Sequence, residues 1–292
     1  KYIFYLIGGS FMLKRKITTE QINAFSEYLK GEERADGTTR KYLHDIHDLA
    51  VWINGNEVTK EASMRWKEHL QMKGYTPATV NSMLAAVNSF FHFIGWDDCR
   101  VKLLRIQHRL FRDQAKELNR DEYKQLISTA YACGRERLAL LMETICATGI
   151  RVSEVKYITV EAAKKGRAQI CLKGKIRTIL IPTKLCRKLI KYAKSQKHLS
   201  NEIFLTKTGN SLSRKQIWAE MKQICRKAGI SPSKVFPHNL RHLFARTFYN
   251  STRDVAKLAD LLGHSSIETT RIYLLSTGSE HARQLEHLGL IS

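Results

Sequence analysis

From residue 17 onward the apolar positions recur every three or four residues, the signature of helices with one buried face. In "ITTEQINAFSEYLKG", Ile22, Phe25, Tyr28 and Leu29 share a face and Gly31 supplies the stop, which predicts a first helix. "DGTTRKYLHDIHDLAVWING" opens on turn and cap residues and then sets Tyr42, Ile46, Leu49 and Ile53 on one side, predicting a second. "VTKEASMRWKEHLQMKG" predicts a third, and "YTPATVNSMLAAVNSFFHFIGW", with Pro77 in its first turn, a fourth. The pattern predicts a small all-helical bundle over residues 17–108.

The periodicity lapses in "QHRLFRDQAKEL", which marks residues 109–116 as a linker, and it resumes in "NRDEYKQLISTAYA" behind the cap residue Asn119. A long helical run, "RERLALLMETICATG", gives way to two β-prone runs at 168–172 and 177–181 around a Lys-Gly-Lys turn, which predicts a hairpin. Helical periods return at 184–195, 213–228, 238–250, 252–262 and 266–275. The expected architecture is mainly α, with a small antiparallel β-sheet confined to a second domain over residues 117–292. The chain contains no internal repeat and no low-complexity segment.

Composition narrows the class of partner more than the fold. With 43% hydrophobic and 26% charged residues among 292, the chain reads as a globular protein, neither disordered nor membrane-spanning. Its 49 Lys and Arg against 27 Asp and Glu leave a net charge of +22, a surplus that favours a polyanion, nucleic acid above all. The surplus is uneven: residues 1–112 carry 17 basic and 12 acidic side chains, and residues 113–292 carry 32 and 15. The second domain is therefore the stronger anion binder. Six cysteines show neither a C-x-x-C pair nor zinc-like spacing, and read as reduced thiols of a cytoplasmic protein. Residues 1–16 are set aside as a leader: the apolar opening is too short to span a bilayer, and Met12 reads as a natural start, leaving open whether residues 1–11 are native.

Four stretches carry candidate chemistry. "ATGIRVSEV" puts Arg151 and Glu154 after the helix-ending Gly149, and "CLKGKIRTILIP" puts Lys173 at the hairpin tip. "FPHNLRHLFA" places His238 and Arg241 three apart, on one helix face. "LLGHSSIETTRIYLL" carries His264 nine residues before Tyr273. Singly, each has a plain structural explanation. Arg151 and Glu154 can simply pair, His264 can fill the turn after Gly263, and Tyr273 can be an amphipathic core tyrosine.

In chain order, however, Arg, Lys, His-x-x-Arg, His and Tyr resemble the signature of the tyrosine recombinases, the phage integrase family. The surrounding words "TGIRVSE", "RTILIP", "PHNLRH" and "LLGHSSIETTRIY" are similar as well, as are "YTPATVNSMLAAVNSFFHFI" and "FLTKTGNSLSRKQIW". The likeness covers nearly the whole chain from about residue 17 and is greatest to the Xer-like and simple-integrase branch. It implies a SAM-like core-binding bundle followed by a mixed α/β catalytic domain, the two clamping duplex DNA.

The resemblance also assigns roles. Tyr273 would attack the scissile phosphate and form a 3′-phosphotyrosyl link, for integration, excision or dimer resolution. Arg151 and Arg241 suit the non-bridging oxygens, because guanidinium forks match phosphate geometry and keep their charge. His238 and His264 would add hydrogen bonds or move a proton, and Lys173 would protonate the departing 5′ oxygen. Glu154 would orient the site. Arg40, Lys41, Thr79, Asn81, Lys175, Arg177, Arg214 and Lys215 are the expected DNA contacts. No metal, nucleotide or other cofactor is expected, since a phosphotyrosine conserves the energy of the broken bond. The expected partners are double-stranded DNA with a specific recombination site, three further copies in a tetramer on two duplexes, and accessory recombination proteins. A type IB topoisomerase-like activity and a non-catalytic DNA-binding accessory protein are the alternatives.

Overall fold

The computed structural model describes residues 15–106, 114–172, 175–196, 202–264, 266–273 and 286–287. They fall into two compact units divided between residues 108 and 109. The first contains helices α1 (Thr19–Gly31), α2 (Asp36–Ile53), α3 (Lys60–Met72) and α4 (Pro77–Phe93). Local chemistry starts most of them. Thr18 and Gln21 form a reciprocal capping box on α1, while Thr59 and Thr76 cap α3 and α4 through their hydroxyls. The predicted apolar faces turn inward, so that Phe25, Leu49, Trp66, Leu84 and Phe90 are buried, with Phe25 meeting Phe90 edge-on at 5.4 Å.

Two asparagines seven residues apart on α4 fasten the chain that leaves this unit. Asn81 accepts from the Leu104 N–H at 2.7 Å and donates to the Leu104 carbonyl at 2.8 Å. Asn88 does the same with Val101, at 3.0 and 2.8 Å. Each amide takes the place of a neighbouring strand and satisfies both backbone groups of an extended residue.

The second unit contains α5 (Arg120–Ala132), α6 (Glu136–Thr148), α7 (Val160–Lys165), β1 (Arg167–Leu172), β2 (Lys175–Leu180), α8 (Thr183–Ser195), α9 (Arg214–Lys227), α10 (Pro237–Thr252), α11 (Val255–Leu262) and α12 (Ile267–Arg271). Asn119 caps α5 in a capping box with Glu122. The two strands pair antiparallel from Arg167 with Leu180 to Leu172 with Lys175, so Lys175 belongs to β2 and not to the turn. The helical period expected from residue 252 begins instead at Val255: Arg253 takes a left-handed conformation (φ 55°) that ends α10, and Asp254 caps α11. Sequence periodicity did not reveal α7, six residues held between the Thr159 cap and a left-handed Gly166. The core of this unit gathers Leu126, Leu141, Ile145, Ile170, Ile179, Leu189, Ile217 and Leu240 from helices and hairpin alike. Among the described residues no helix is long and apolar enough to cross a membrane. All six cysteines are free thiols.

Candidate active site

The site forms where α6 and α11 end beside α10. Gly149 closes α6 in a left-handed turn (φ 66°), and a Cβ there would sit 2.4 Å from the Phe244 ring on α10. This close approach delivers Arg151 to the start of a 3-10 turn, Val152–Tyr157. Glu154 holds it there. The Glu154 carboxylate accepts from the Arg151 backbone N–H at 2.7 Å and from its guanidinium at 3.1 Å, while the Arg151 side chain stays 41% exposed.

Arg241 occupies the centre, only 2% exposed on α10. Its guanidinium donates to the Gly149 carbonyl at 2.5 Å and to the Leu262 carbonyl at 2.8 Å. Both carbonyls lie at helix C-terminal ends, which lack intrahelical donors and carry partial negative charge, so one cation fastens α6 to α11. Burial works against the Arg241 charge, and interaction with the Tyr273 hydroxyl favours it.

The same guanidinium lies 2.9 Å from His264 Nε2. Because arginine can only donate, Nε2 must be the acceptor, and the imidazole proton then resides on Nδ1, 2.8 Å from Thr270 Oγ1, to which it donates. Burial, reinforced by Arg241 and Arg151, pushes His264 down to about 4, so the ring is neutral at neutral pH. Arg241 thus fixes the tautomer, and Thr270, completely buried on α12, helps fix the ring orientation.

Tyr273 completes the group and is 4% exposed. Its ring lies parallel to His264 (centroids 5.9 Å apart, 11° between planes) and edge-on to His242 at 4.6 Å, with His238 at 6.5 Å. Burial lowers the pKa of His238, and Arg241 and Arg151 lower it further.

Arg151, Glu154, His238, Arg241, His264 and Tyr273 therefore converge. Lys173 and Gly174 lie outside the described residues. The expected DNA contacts divide. Arg40, Thr79, Arg214 and Lys215 are exposed, and Lys41, also exposed, pairs with the buried carboxylate of Asp45. Asn81 uses its amide on Leu104, as described above, and Arg177 turns inward: it donates to Glu154 Oε2 at 2.5 Å and to the Leu261 carbonyl at 3.0 Å. Both side chains hydrogen-bond within their own unit.

Sequence reasoning passed over His242 and Thr270. The available signal for His242 was its spacing four residues beyond His238, on the same face of α10. The two rings meet edge-on at 4.5 Å. Burial, together with the charges of Arg246 and Arg241 and that of His238 when it is protonated, pushes His242 down to about 3.

These neutral histidines carry a stability prediction. An unfolded histidine has a pKa of about 6.5, so between there and about pH 4 the unfolded chain takes up protons that His242 and His264 refuse in the folded state. The folded-state pKa values are depressed, so their contribution to stability is present above pH 6.5 and is lost as pH falls toward 4. Urea midpoints measured across that interval should fall with pH, and His242→Phe should flatten the slope. An unchanged slope would mean that His242 titrates normally.

Residues 116–280 match the phage integrase family, and residues 22–97 match the phage integrase N-terminal SAM-like domain. The chain is 29% identical over 274 residues to tyrosine recombinase XerA of Thermococcus kodakarensis, covering 91% of this chain and 94% of that one. It is 29% identical over 286 residues to tyrosine recombinase XerD of Caulobacter vibrioides, covering 91% and 90%. Among solved structures, a lambda integrase tetramer bound to a Holliday junction superimposes with a TM-score of 0.71 at 17% identity, over 87% of this chain and 76% of that one. A XerA recombinase superimposes with a TM-score of 0.51 at 22% identity, over 94% and 100%. At these identities the structural likeness is one of fold.

Proposed function

The chain belongs to the phage integrase family of site-specific tyrosine recombinases, and from that premise we propose that it cuts and rejoins DNA through a 3′-phosphotyrosyl intermediate on Tyr273. The observation that carries this reading is the meeting of two arginines and two neutral histidines around one buried tyrosine. In the proposed reaction the Tyr273 oxygen attacks phosphorus and the bond from phosphorus to the 5′ oxygen breaks. A neutral imidazole, His238, is competent to take the phenol proton, whereas the single lone pair of His264 is already engaged by Arg241. Arg151 and Arg241 stabilise the charge that builds on the non-bridging oxygens, a role that preorganised cations in a partly dry site perform without reorganising. Lys173 gives a proton to the departing 5′ oxygen. Attack by a 5′ hydroxyl of the partner strand reverses the sequence, with no net loss of phosphodiester energy.

On this reading residues 17–108 bind the core of the recombination site and residues 117–292 form the catalytic domain. The surplus of basic over acidic residues after residue 112 supports duplex DNA as the partner. Strand exchange between two duplexes requires four such chains, in the manner of the lambda integrase tetramer on its Holliday junction.

The test uses duplexes drawn from the DNA flanking the coding region, nicked so that the short 5′-hydroxyl fragment diffuses away. In EDTA the chain should give a protein–DNA adduct that survives detergent and disappears with protease. Specific binding without any adduct, or an adduct only when Mg²⁺ is added, would overturn the reading.

A further inference from the structure

Arg151 has a problem that its own geometry creates. Its neighbour Glu154 is a buried carboxylate, 1% exposed, that touches it twice. An isolated Arg–Glu pair has no net charge, and a carboxylate beside the phosphate pocket repels the anion that Arg151 would bind. The structure supplies a second cation. Arg177, opposite Ile170 on β2, places one guanidinium nitrogen 2.5 Å from Glu154 Oε2. The trio Arg151, Glu154 and Arg177 thus carries one net positive charge, and exposure shows where it is available: the Arg177 side chain is 16% exposed and that of Arg151 is 41%.

The fork of Arg177 has a second reach. Its other terminal nitrogen donates to the Leu261 carbonyl at 3.0 Å, near the end of α11. Its stem crosses Gly263, where an added Cβ would lie 2.5 Å from the Arg177 Cδ and would adopt a left-handed backbone (φ 64°). The residue after Gly263 is His264. One side chain therefore ties the hairpin to the carboxylate that orients Arg151 and to the turn that presents His264. Lysine, a point charge without a fork, can satisfy the first contact but not both.

We propose that Arg177 is a positioning residue that neutralises Glu154, leaving the charge of Arg151 free for the scissile phosphate, and that braces the turn carrying His264. The proposal rests on the reading of Arg151 as a phosphate-binding group. It predicts an unusual rescue: removing the carboxylate charge should repair the loss of Arg177. A residue that merely packs the fold would give additive or worse damage in the double variant.

The experiment compares Arg177→Met, Arg177→Lys, Glu154→Gln and the double variant Arg177→Met with Glu154→Gln, all as full chains. Two readouts run in parallel. The first is the rate of adduct formation on the nicked duplex, beside affinity for that duplex. The second, independent of strand cleavage, is binding of inorganic phosphate followed through the His264 imidazole signals in NMR, which also report that each variant is folded. Arg177→Met should lose about 10–100-fold in cleavage rate, the range for groups that orient a reacting side chain, with little change in duplex affinity. Its phosphate affinity should drop in parallel, the double variant should recover most of both, and Arg177→Lys should fall between. Near-wild-type cleavage and phosphate binding by Arg177→Met, or a double variant no better than Arg177→Met, would overturn the proposal. If wild type bound phosphate with this pattern yet formed no adduct, the recombination chemistry would fail while the charge relation stood.

Discussion

Tyr273→Phe should bind its DNA site with wild-type affinity and form no covalent adduct, whatever the incubation time. The substitution removes one oxygen and leaves the ring. The ring is what the protein uses structurally: it lies parallel to His264, meets His242 edge-on and packs in a small cluster with Ala245, Leu258 and Leu262. Phenylalanine keeps those contacts, so the loss should be chemical. What disappears is the hydroxyl that interacts with Arg241, and with it the only atom of this side chain able to bond to phosphorus. The measurement is a pair on one nicked duplex, a band shift for binding and a denaturing gel for adduct. An adduct in the phenylalanine variant would move the nucleophile elsewhere.

Lys173→Ala should slow cleavage by about 10²–10⁴-fold, the contribution usual for a positioned general acid. An alkoxide is a poor leaving group, so the 5′ oxygen must be protonated as its bond to phosphorus breaks. Lys173 directly precedes Gly174, the step to which the family resemblance assigns the acid, whereas Lys175 already pairs with Leu172 as the first residue of β2. Lys175→Ala should therefore mainly weaken binding. Replacing the bridging 5′ oxygen by sulfur separates proton donation from charge stabilisation, because a thiolate departs without a proton. On that substrate Lys173→Ala should recover near-wild-type cleavage, and Arg151→Ala, deprived of charge at the non-bridging oxygens, should stay slow. Rescue of Lys175→Ala instead would shift the acid by two residues, and rescue of neither would remove it from the hairpin.

The sequence was most legible where a local rule and the fold agree. Asn119 marks a helix start because the N–H groups its side chain satisfies lie within one turn, and Pro77 because a first-turn residue needs no N–H of its own; the structure uses both in this way. The start of β2 was harder to read because its apolar residues lie on both faces: Ile179 is buried, yet Ile176 and Leu180 are 73% and 66% exposed. Within the site, the candidate motifs, taken together through the family resemblance, named six of the residues that converge. They could not show that Arg177 turns inward, because the carboxylate that draws it in lies 23 positions away. The bonds that Asn81 makes were hidden for a similar reason. An amide on a helix face looks solvent-directed until the backbone of residue 104 is known to lie against it.

That asparagine clamp fixes the near end of the chain that joins the two units. Leu104 is held by Asn81, and on the far side Leu118 is held through its carbonyl by Arg246 at 2.8 Å, so about a dozen intervening residues span at most roughly 50 Å even when fully extended. If both units contact one duplex, docking of the first confines the second to a small volume around its own half of the site, and a unimolecular search replaces a bimolecular one. Under that condition each unit would need to hold DNA only weakly by itself for the joined chain to hold it firmly. Site discrimination would then depend on the two contacts being made together, and a match to only half of a site would be released quickly.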